Sequence, residues 1–243
     1  MRTDFEQFYV STEHVQRDIF FLVDDEYRHA VKVLRKRVGQ TLAAIDGGGR
    51  LYEGVIQHIE KDRAIVSIES IQHNIGEANV HLTIMQAVPK GHHFDLVIEK
   101  GTEIGVAAFL PILTERSIVD PSSRLERWRH KARAATKQCG RSRCPEIKSP
   151  LKFQAALEAE KYDKIFIAHQ AQEQNPEDLY KLVRDCSRIA VFIGPEGGFT
   201  DSEFQQAAAV GAIPVNLGKR RLKSETAALV AACKILSAAG ELG

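Results

Sequence analysis

Two segments near the end of the chain constrain its fold more than any other feature. Phe192-Ile193-Gly194-Pro195-Glu196-Gly197-Gly198-Phe199-Thr200-Asp201-Ser202-Glu203 is followed some twenty residues on by Leu217-Gly218-Lys219-Arg220-Arg221-Leu222-Lys223-Ser224-Glu225-Thr226. Each runs from an apolar strand, through a short glycine-containing loop, into the start of a helix. Ligands in open α/β sheets bind beyond the carboxyl ends of the strands, where such loops diverge. The two loops are therefore expected to be adjacent walls of one pocket. Thr200 and Glu203 stand at the spacing of a capping box, which fixes where the helix after the first loop begins.

The loops match no common phosphate-binding signature. A P-loop needs Gly-Lys-Ser/Thr after a four-residue gap, and neither loop has it. The dinucleotide fingerprint needs Gly-x-Gly-x-x-Gly after the first strand of its unit, and Pro89-Lys90-Gly91-His92 does not supply one. ATP hydrolysis and hydride transfer both lose support.

The rest of the chain places these loops in a second domain. In the first seventy residues, Gln40–Asp46 and Leu51–Ile56 flank Gly47-Gly48-Gly49, a hairpin signal, and Arg63–Glu69 adds an alternating strand. One helix interrupts them, with Tyr27, Val31 and Leu34 at helical spacing and Asp24 or Asp25 available as its cap. This predicts a small β-barrel carrying a basic helix over residues 1–73. Polar Gln72–Asn79 reads as a linker. From Val80 onward, strands near 80–88, 108–113, 163–169, 188–193 and 213–217 alternate with helices near 90–104, 124–139, 176–184, 201–210 and 224–238. That alternation predicts an α/β domain over 78–243 with a mainly parallel sheet covered on both faces.

At 243 residues, 44% hydrophobic and 27% charged, the composition is that of a soluble globular protein. No apolar run approaches the roughly 18 residues of a membrane span. Met1-Arg2-Thr3-Asp4-Phe5-Glu6 lacks the apolar core of a signal peptide, so a cytoplasmic location is expected. Cys139, Cys144, Cys186 and Cys233 form no Cys-x-x-Cys pair, and no metal is expected. The net charge is only +1, yet basic residues gather at Arg28–Arg37, Arg124–Arg143 and Lys219–Lys223. Local patches of this kind bind polyanions, because phosphate contacts are made locally, although solvated helix faces look the same in sequence. Trp128 is expected in the core rather than stacked on a base.

The combined motifs resemble the SPOUT methyltransferases, specifically the RsmE-type family that methylates a uridine of 16S ribosomal RNA at ring nitrogen 3. The resemblance rests on Ile193–Glu203 with Leu217–Ala227, and on Lys90 with Asp95–Val106. Pro111, Glu115-Arg116-Ser117 and Gln138–Arg141 with Pro145 add to it, as do His29, Val33-Leu34-Arg35, Gly39 and Asp46-Gly47. It covers nearly the whole chain. It implies a trefoil knot, a PUA-like N-terminal barrel that grips RNA, and a homodimer. It also implies bound S-adenosylmethionine, in a pocket lined by Ala168-His169-Gln170, Ile193–Gly198 and Leu217–Leu222. The cofactor contacts so expected are His169, Ile193, Gly194, Glu196, Gly197, Gly198, Leu217, Gly218, Arg221, Leu222 and Thr226. Where the family commonly has Pro-Arg-Ile/Val-Leu-Arg after Leu-Gly, this chain has Lys219, Arg221 and Lys223 at the first, third and fifth places. Lys223 keeps the charge of arginine without its planar fork.

Methylating a uracil ring nitrogen requires loss of its proton and stabilisation of the resulting anion. Arg220 and Lys223, with Arg221, are candidates to supply positive charge. Glu225 is the third candidate catalytic residue, although its place at a helix start gives it a plain structural reading too. Arg28, Arg35, Lys90, Lys100, Arg116 and Arg141 are expected to meet RNA, namely the 16S RNA of the assembled small subunit. The alternatives are a SPOUT enzyme acting elsewhere on RNA and a noncatalytic RNA-binding protein. The paired loops speak against the second, because docking alone needs no cofactor pocket.

Overall fold

The computed structural model describes residues 6–118, 121–169 and 176–242. The chain divides into two compact units, Met1–Glu77 with Arg133–Cys144, and Ala78–Ala132 with Pro145–Gly243.

The first unit is built on a five-stranded sheet. In chain order its strands are β1 (Gln7–Tyr9), β2 (Ile19–Val23), β3 (Thr41–Ile45), β4 (Arg50–Ile59) and β5 (Arg63–His73), arranged β1-β3-β4-β5-β2. β1 runs parallel to β3 and the other pairs are antiparallel. The glycine hairpin forms as the sequence predicts, with Ile45 opposite Leu51. Alternation in β2 drives Phe20 and Leu22 inward, where they pack with Phe8, Tyr27, Tyr52 and Val66.

The helix between β2 and β3 differs in detail from its sequence pattern. A single turn, α1 (Asp24–Tyr27), continues as a π-helical turn over Arg28–Val33. The expected aspartate cap does not form. The residue in the N-cap position is Val23, no side-chain cap bond is made, and Asp24 itself has φ 49. A capping side chain works from extended backbone, which a left-handed Asp24 does not provide. Asp25 instead pairs with Arg28 at 3.3 Å.

In the second unit the strands and helices follow the expected alternation. They are β6 (His81–Ala87), α2 (His93–Ile104), β7 (Ala108–Leu113), α3 (Leu125–Cys139), β8 (Glu146–Ile147), β9 (Leu151–Lys152), α4 (Phe153–Glu158), β10 (Lys164–Ala168), α5 (Pro176–Val183), β11 (Arg188–Ile193), α6 (Asp201–Ala209), β12 (Ile213–Val215) and α7 (Ser224–Ala238). Residues 133–144, including the end of α3, belong to the first unit. The sheet is wholly parallel, in the order β12-β10-β11-β6-β7-β8, with β9 also on β7. Its central strands β6, β7 and β11 are buried on both faces. Leu82 and Ile84 of β6 enter one core with Phe94, Val97, Trp128, Ile235 and Leu236, while Met85 and Ala87 enter another with Phe153, Phe192 and Ala207. The short β8, β9 and α4 carried no periodic signal and were not foreseen.

The polar stretch read as a linker is not free. Glu77 accepts from Arg141 Nη2 at 2.7 Å and from the backbone N–H groups of Ser142 at 3.1 Å and Arg143 at 2.8 Å. These bonds bring residues 133–144 into the first unit, which a single boundary between residues 73 and 78 did not anticipate. No helix among the described residues is long and apolar enough to cross a membrane.

Candidate functional site

The three strands β12, β10 and β11 are neighbours, and the loops leaving their carboxyl ends enclose a cavity of about 530 Å³. Both glycine loops line this one cavity, as expected, but the strands that lead into them are not neighbours. β10 lies between their strands, and its exit at Ala168 and His169 supplies a wall between them. The His169 N–H is held by Val215 O at 3.1 Å, and the ring lies 4.5 Å from that of Phe204 on α6.

The first loop forms a wall from Ile193 through Phe199. Gly194 is closely packed, because a Cβ there would meet the Phe199 ring at 3.2 Å and the ring would have to give by a few tenths of an ångström. Phe199 in turn packs on Phe153, ring centroids 5.3 Å apart, giving the cavity an apolar aromatic side. The capping box expected from sequence ends the loop. Thr200 Oγ1 accepts from the Glu203 N–H at 3.2 Å, and Glu203 Oε2 accepts from the Thr200 N–H at 2.9 Å. Such a cap is worth about 1 kcal/mol.

The second loop contributes Leu217, Gly218, Arg220, Arg221, Leu222 and Lys223. Gly218 has φ 116, a conformation costly for any residue with a Cβ, and its N–H is held by Asn216 Oδ1 at 2.6 Å. Lys234 of α7 fixes the same residue from behind, donating to Asn216 O at 2.6 Å. The loop then delivers α7 with its amino end beside the cavity. The Lys223 N-cap makes no side-chain bond, so the first N–H groups of α7 gain no cap. Ser224 lines the cavity, and its buried Oγ has no hydrogen-bond partner. A buried hydroxyl without a partner is costly, which suits a site that completes its polar bonds with a ligand.

Of the expected cofactor contacts, His169, Ile193, Gly194, Glu196, Gly197, Gly198, Leu217, Gly218, Arg221 and Leu222 all line this cavity, together with Arg220 and Lys223. Gln170 lies outside the described residues. Thr226 is exposed and is not part of the wall. Glu225 also lies off the wall, buried at the start of α7 with its carboxylate 3.4 Å from His93 Nδ1. One turn of helix explains both, since Ser224 and Ala227 face the cavity and the residues between them point elsewhere. Phe199, Ser224 and Ala227 were missed. Only helical phase relative to the loop could have found the last two.

The residues expected to meet RNA have mixed settings. Arg35 and Lys90 are exposed, and Arg28 is exposed beside Asp25. Lys100 bonds Glu99 and Glu103 at 3.1 and 2.8 Å. Arg116 donates to Gly197 O at 2.5 Å and so belongs to the first glycine loop. Arg141 is 3% exposed with its guanidinium held by Glu77, which keeps it from a phosphate here. Much of the basic run along α3 is likewise engaged within the chain. Arg124 donates to Gly91 O, Arg127 pairs with Asp95, Arg129 with Glu126 and Lys131 with Glu99, while Arg133 lies over the Tyr9 ring and Lys137 bonds Glu26. Trp128 is fully buried, edge-on to Phe94, and donates from Nε1 to Asp95 Oδ1 at 3.0 Å.

An RNA methyltransferase domain model matches residues 76–236, and an RNA methyltransferase PUA domain model matches residues 22–69. Proteins named ribosomal RNA small subunit methyltransferase E are similar to this chain throughout. The one from Synechocystis is 31% identical over 230 residues, covering 93% of this chain and 75% of the relative. The one from Buchnera aphidicola (Acyrthosiphon pisum) is 31% identical over 220 residues, covering 87% and 85%. Among solved structures, ribosomal RNA small subunit methyltransferase E of Neisseria gonorrhoeae, bound to S-adenosyl methionine, superposes with a TM-score of 0.85 at 30% identity, covering 96% of this chain and 97% of its own. A Legionella pneumophila protein, also in complex with S-adenosylmethionine, gives 0.84 at 28% identity and covers 98% of each chain.

Proposed function

We propose, from the premise that this chain belongs to the ribosomal RNA small subunit methyltransferase E family of RNA methyltransferases, that it methylates ring nitrogen 3 of a uridine in 16S ribosomal RNA with S-adenosylmethionine. One observation carries the reading. Three adjacent parallel strands end in loops that enclose one cavity, apolar along Phe199 and cationic along Arg220 and Lys223.

The residues present fit the cofactor. The cavity lies in the range of about 300–1,000 Å³ usual for small-molecule sites. Unpaired Ser224 Oγ and the uncapped amino end of α7 supply polar groups for it to engage. Bound there, S-adenosylmethionine provides an electrophilic methyl group on a positively charged sulfur. The chain itself must exclude water, orient the uracil and favour its anion over the neutral ring. Arg220 and Lys223 stand on the wall where positive charge would stabilise uracil oxygens as the nitrogen proton leaves. Glu225, anchored to His93 behind the wall, fixes the start of the helix that presents Lys223 and Ser224.

On this reading the first unit, matched by the PUA model, holds RNA through exposed basic residues such as Arg35. Phosphate contacts position the substrate, and the target base is presented unpaired or flipped. The loops form a trefoil knot, a second copy of the chain completes the site, and the enzyme works in the cytoplasm on the assembled small subunit.

Mass mapping of 16S RNA from cells lacking the gene tests the substrate. A methylated uridine should disappear and return on complementation, and retention of every such uridine would refute the proposal. Calorimetry should show saturable S-adenosylmethionine binding by the purified protein. Arg220→Ala and Lys223→Ala should each lower kcat more than cofactor affinity if both cations act on the uracil anion.

A further inference from the structure

We propose that Glu203 is a positioning residue for the cofactor loop, acting through Arg116; this rests on the S-adenosylmethionine reading of the cavity. An ordinary capping box needs only one carboxylate oxygen, turned back to the N-cap N–H. Here Oε2 makes that bond to Thr200, with the Thr200 hydroxyl also donating at 3.3 Å. Oε1 accepts at 2.8 Å from the backbone N–H of Glu115, 88 positions away in the turn after β7. Glu203 as a whole is only 5% exposed, and both of its carboxylate oxygens are bonded within the protein.

The turn that it grips is stiff. Ser117 Oγ accepts from the Thr114 N–H at 2.9 Å, lies 2.9 Å from Thr114 Oγ1, and the Ser117 N–H donates to Thr114 O at 3.1 Å. Next to Glu115 on this turn is Arg116, whose Nη1 donates to Gly197 O at 2.5 Å in the middle of the cavity wall. Its Cδ lies where a Cβ on Gly197 would come within 3.2 Å. Glu203 thereby holds the loop Gly194–Thr200 at both ends of its later half. It fixes Thr200 directly, and it fixes Gly197 by setting where Arg116 stands.

Glutamine cannot replace it. The amide keeps one acceptor oxygen but turns an NH₂ toward the second N–H, so either Thr200 or Glu115 loses its acceptor. The test measures S-adenosylmethionine affinity by calorimetry, and KM against kcat, for Glu203→Gln, Arg116→Gln and the double variant. Amide hydrogen exchange at Gly197 and Gly198 is read alongside. Each single variant should weaken cofactor binding about tenfold with kcat at saturation little changed. The double variant should be no weaker than the worse single, because both act through one path. Exchange at Gly197 and Gly198 should quicken in both.

Unchanged affinity in either folded variant, or losses that multiply in the double, would overturn the proposal. If Glu203→Gln does not fold, exposed Arg116→Gln decides alone by the same criterion. Should the wild-type protein fail to bind S-adenosylmethionine, the cavity reading fails instead, while the exchange measurement still decides whether Glu203 orders the loop.

Discussion

Arg221 Nη2 donates to the backbone carbonyl of Glu196 at 3.0 Å, so the second glycine loop holds the first. With Arg116 on the next carbonyl, Gly197 O, two arginines from different parts of the chain fix consecutive peptide units of one wall. The two loops are one mechanical unit, and cofactor binding should be sensitive to residues that touch no cofactor atom through their own charge.

Arg221→Ala should therefore weaken S-adenosylmethionine binding about fivefold, the effect of roughly 1 kcal/mol for one hydrogen bond of an exposed side chain. Arg221→Lys should not restore it fully, since a single ammonium lacks the directional fork. Calorimetry decides the matter, and equal affinity for wild type and Arg221→Ala would contradict the linkage.

Trp128 serves the core, and its replacement should act on stability. Trp128→Ala removes a fully buried ring and leaves Asp95 without one of its donors. A loss of about 3–5 kcal/mol is expected by denaturant unfolding. Trp128→Phe should recover much of the packing but not the hydrogen bond, and retain RNA binding. A stable Trp128→Phe protein with abolished RNA affinity would mean that the indole meets RNA after all.

Gln86 presents the opposite case. It is fully buried on β6, in register with Ile193, and neither of its amide atoms has a hydrogen-bond partner. Leaving such a group unpaired costs about 1–3 kcal/mol. Gln86→Met, of similar shape and without polar atoms that need partners, should raise the thermal midpoint by several degrees. A lower midpoint for Gln86→Met would sink this account.

His81 gives the fold a pH dependence in the mildly acidic range. Burial lowers its pKa, the charges of Arg188 and Lys148 act in the same direction, and Glu160 opposes them. Its Nδ1 is buried without a partner. The folded chain thus binds the proton less readily than the unfolded chain, whose histidine titrates near its ordinary value of about 6.5. The stability contribution is full above that value and declines as pH falls below it. His81→Gln should reduce the fall in thermal midpoint between about pH 7.5 and 5.5. An identical fall in both proteins would assign the dependence to other groups.

Much of this molecule was legible in its sequence, for reasons that differ from element to element. The strand β11 was readable because Arg188–Ile193 is a short apolar run closed by glycine. The start of α6 was readable because Thr200 and Glu203 satisfy each other within four residues. The basic run along α3 was visible as charge, but its use was not. Whether Arg127 or Lys131 faces RNA or a carboxylate depends on Asp95 and Glu99, about thirty residues earlier in the chain.

The sequence by itself determined most of the longer local elements, the parallel α/β class and the two loops that carry most of the cavity, because helix caps, glycine turns and hydrophobic period act over a few residues. The tertiary structure alone decided that β10 stands between those loops. It also turned Ser224 and Ala227 to the cavity while leaving Glu225 and Thr226 off its wall, and gave Arg141 to Glu77 and Arg116 to Gly197. These outcomes follow from strand order, helical phase and the meeting of charges far apart in sequence, none of which a local pattern encodes.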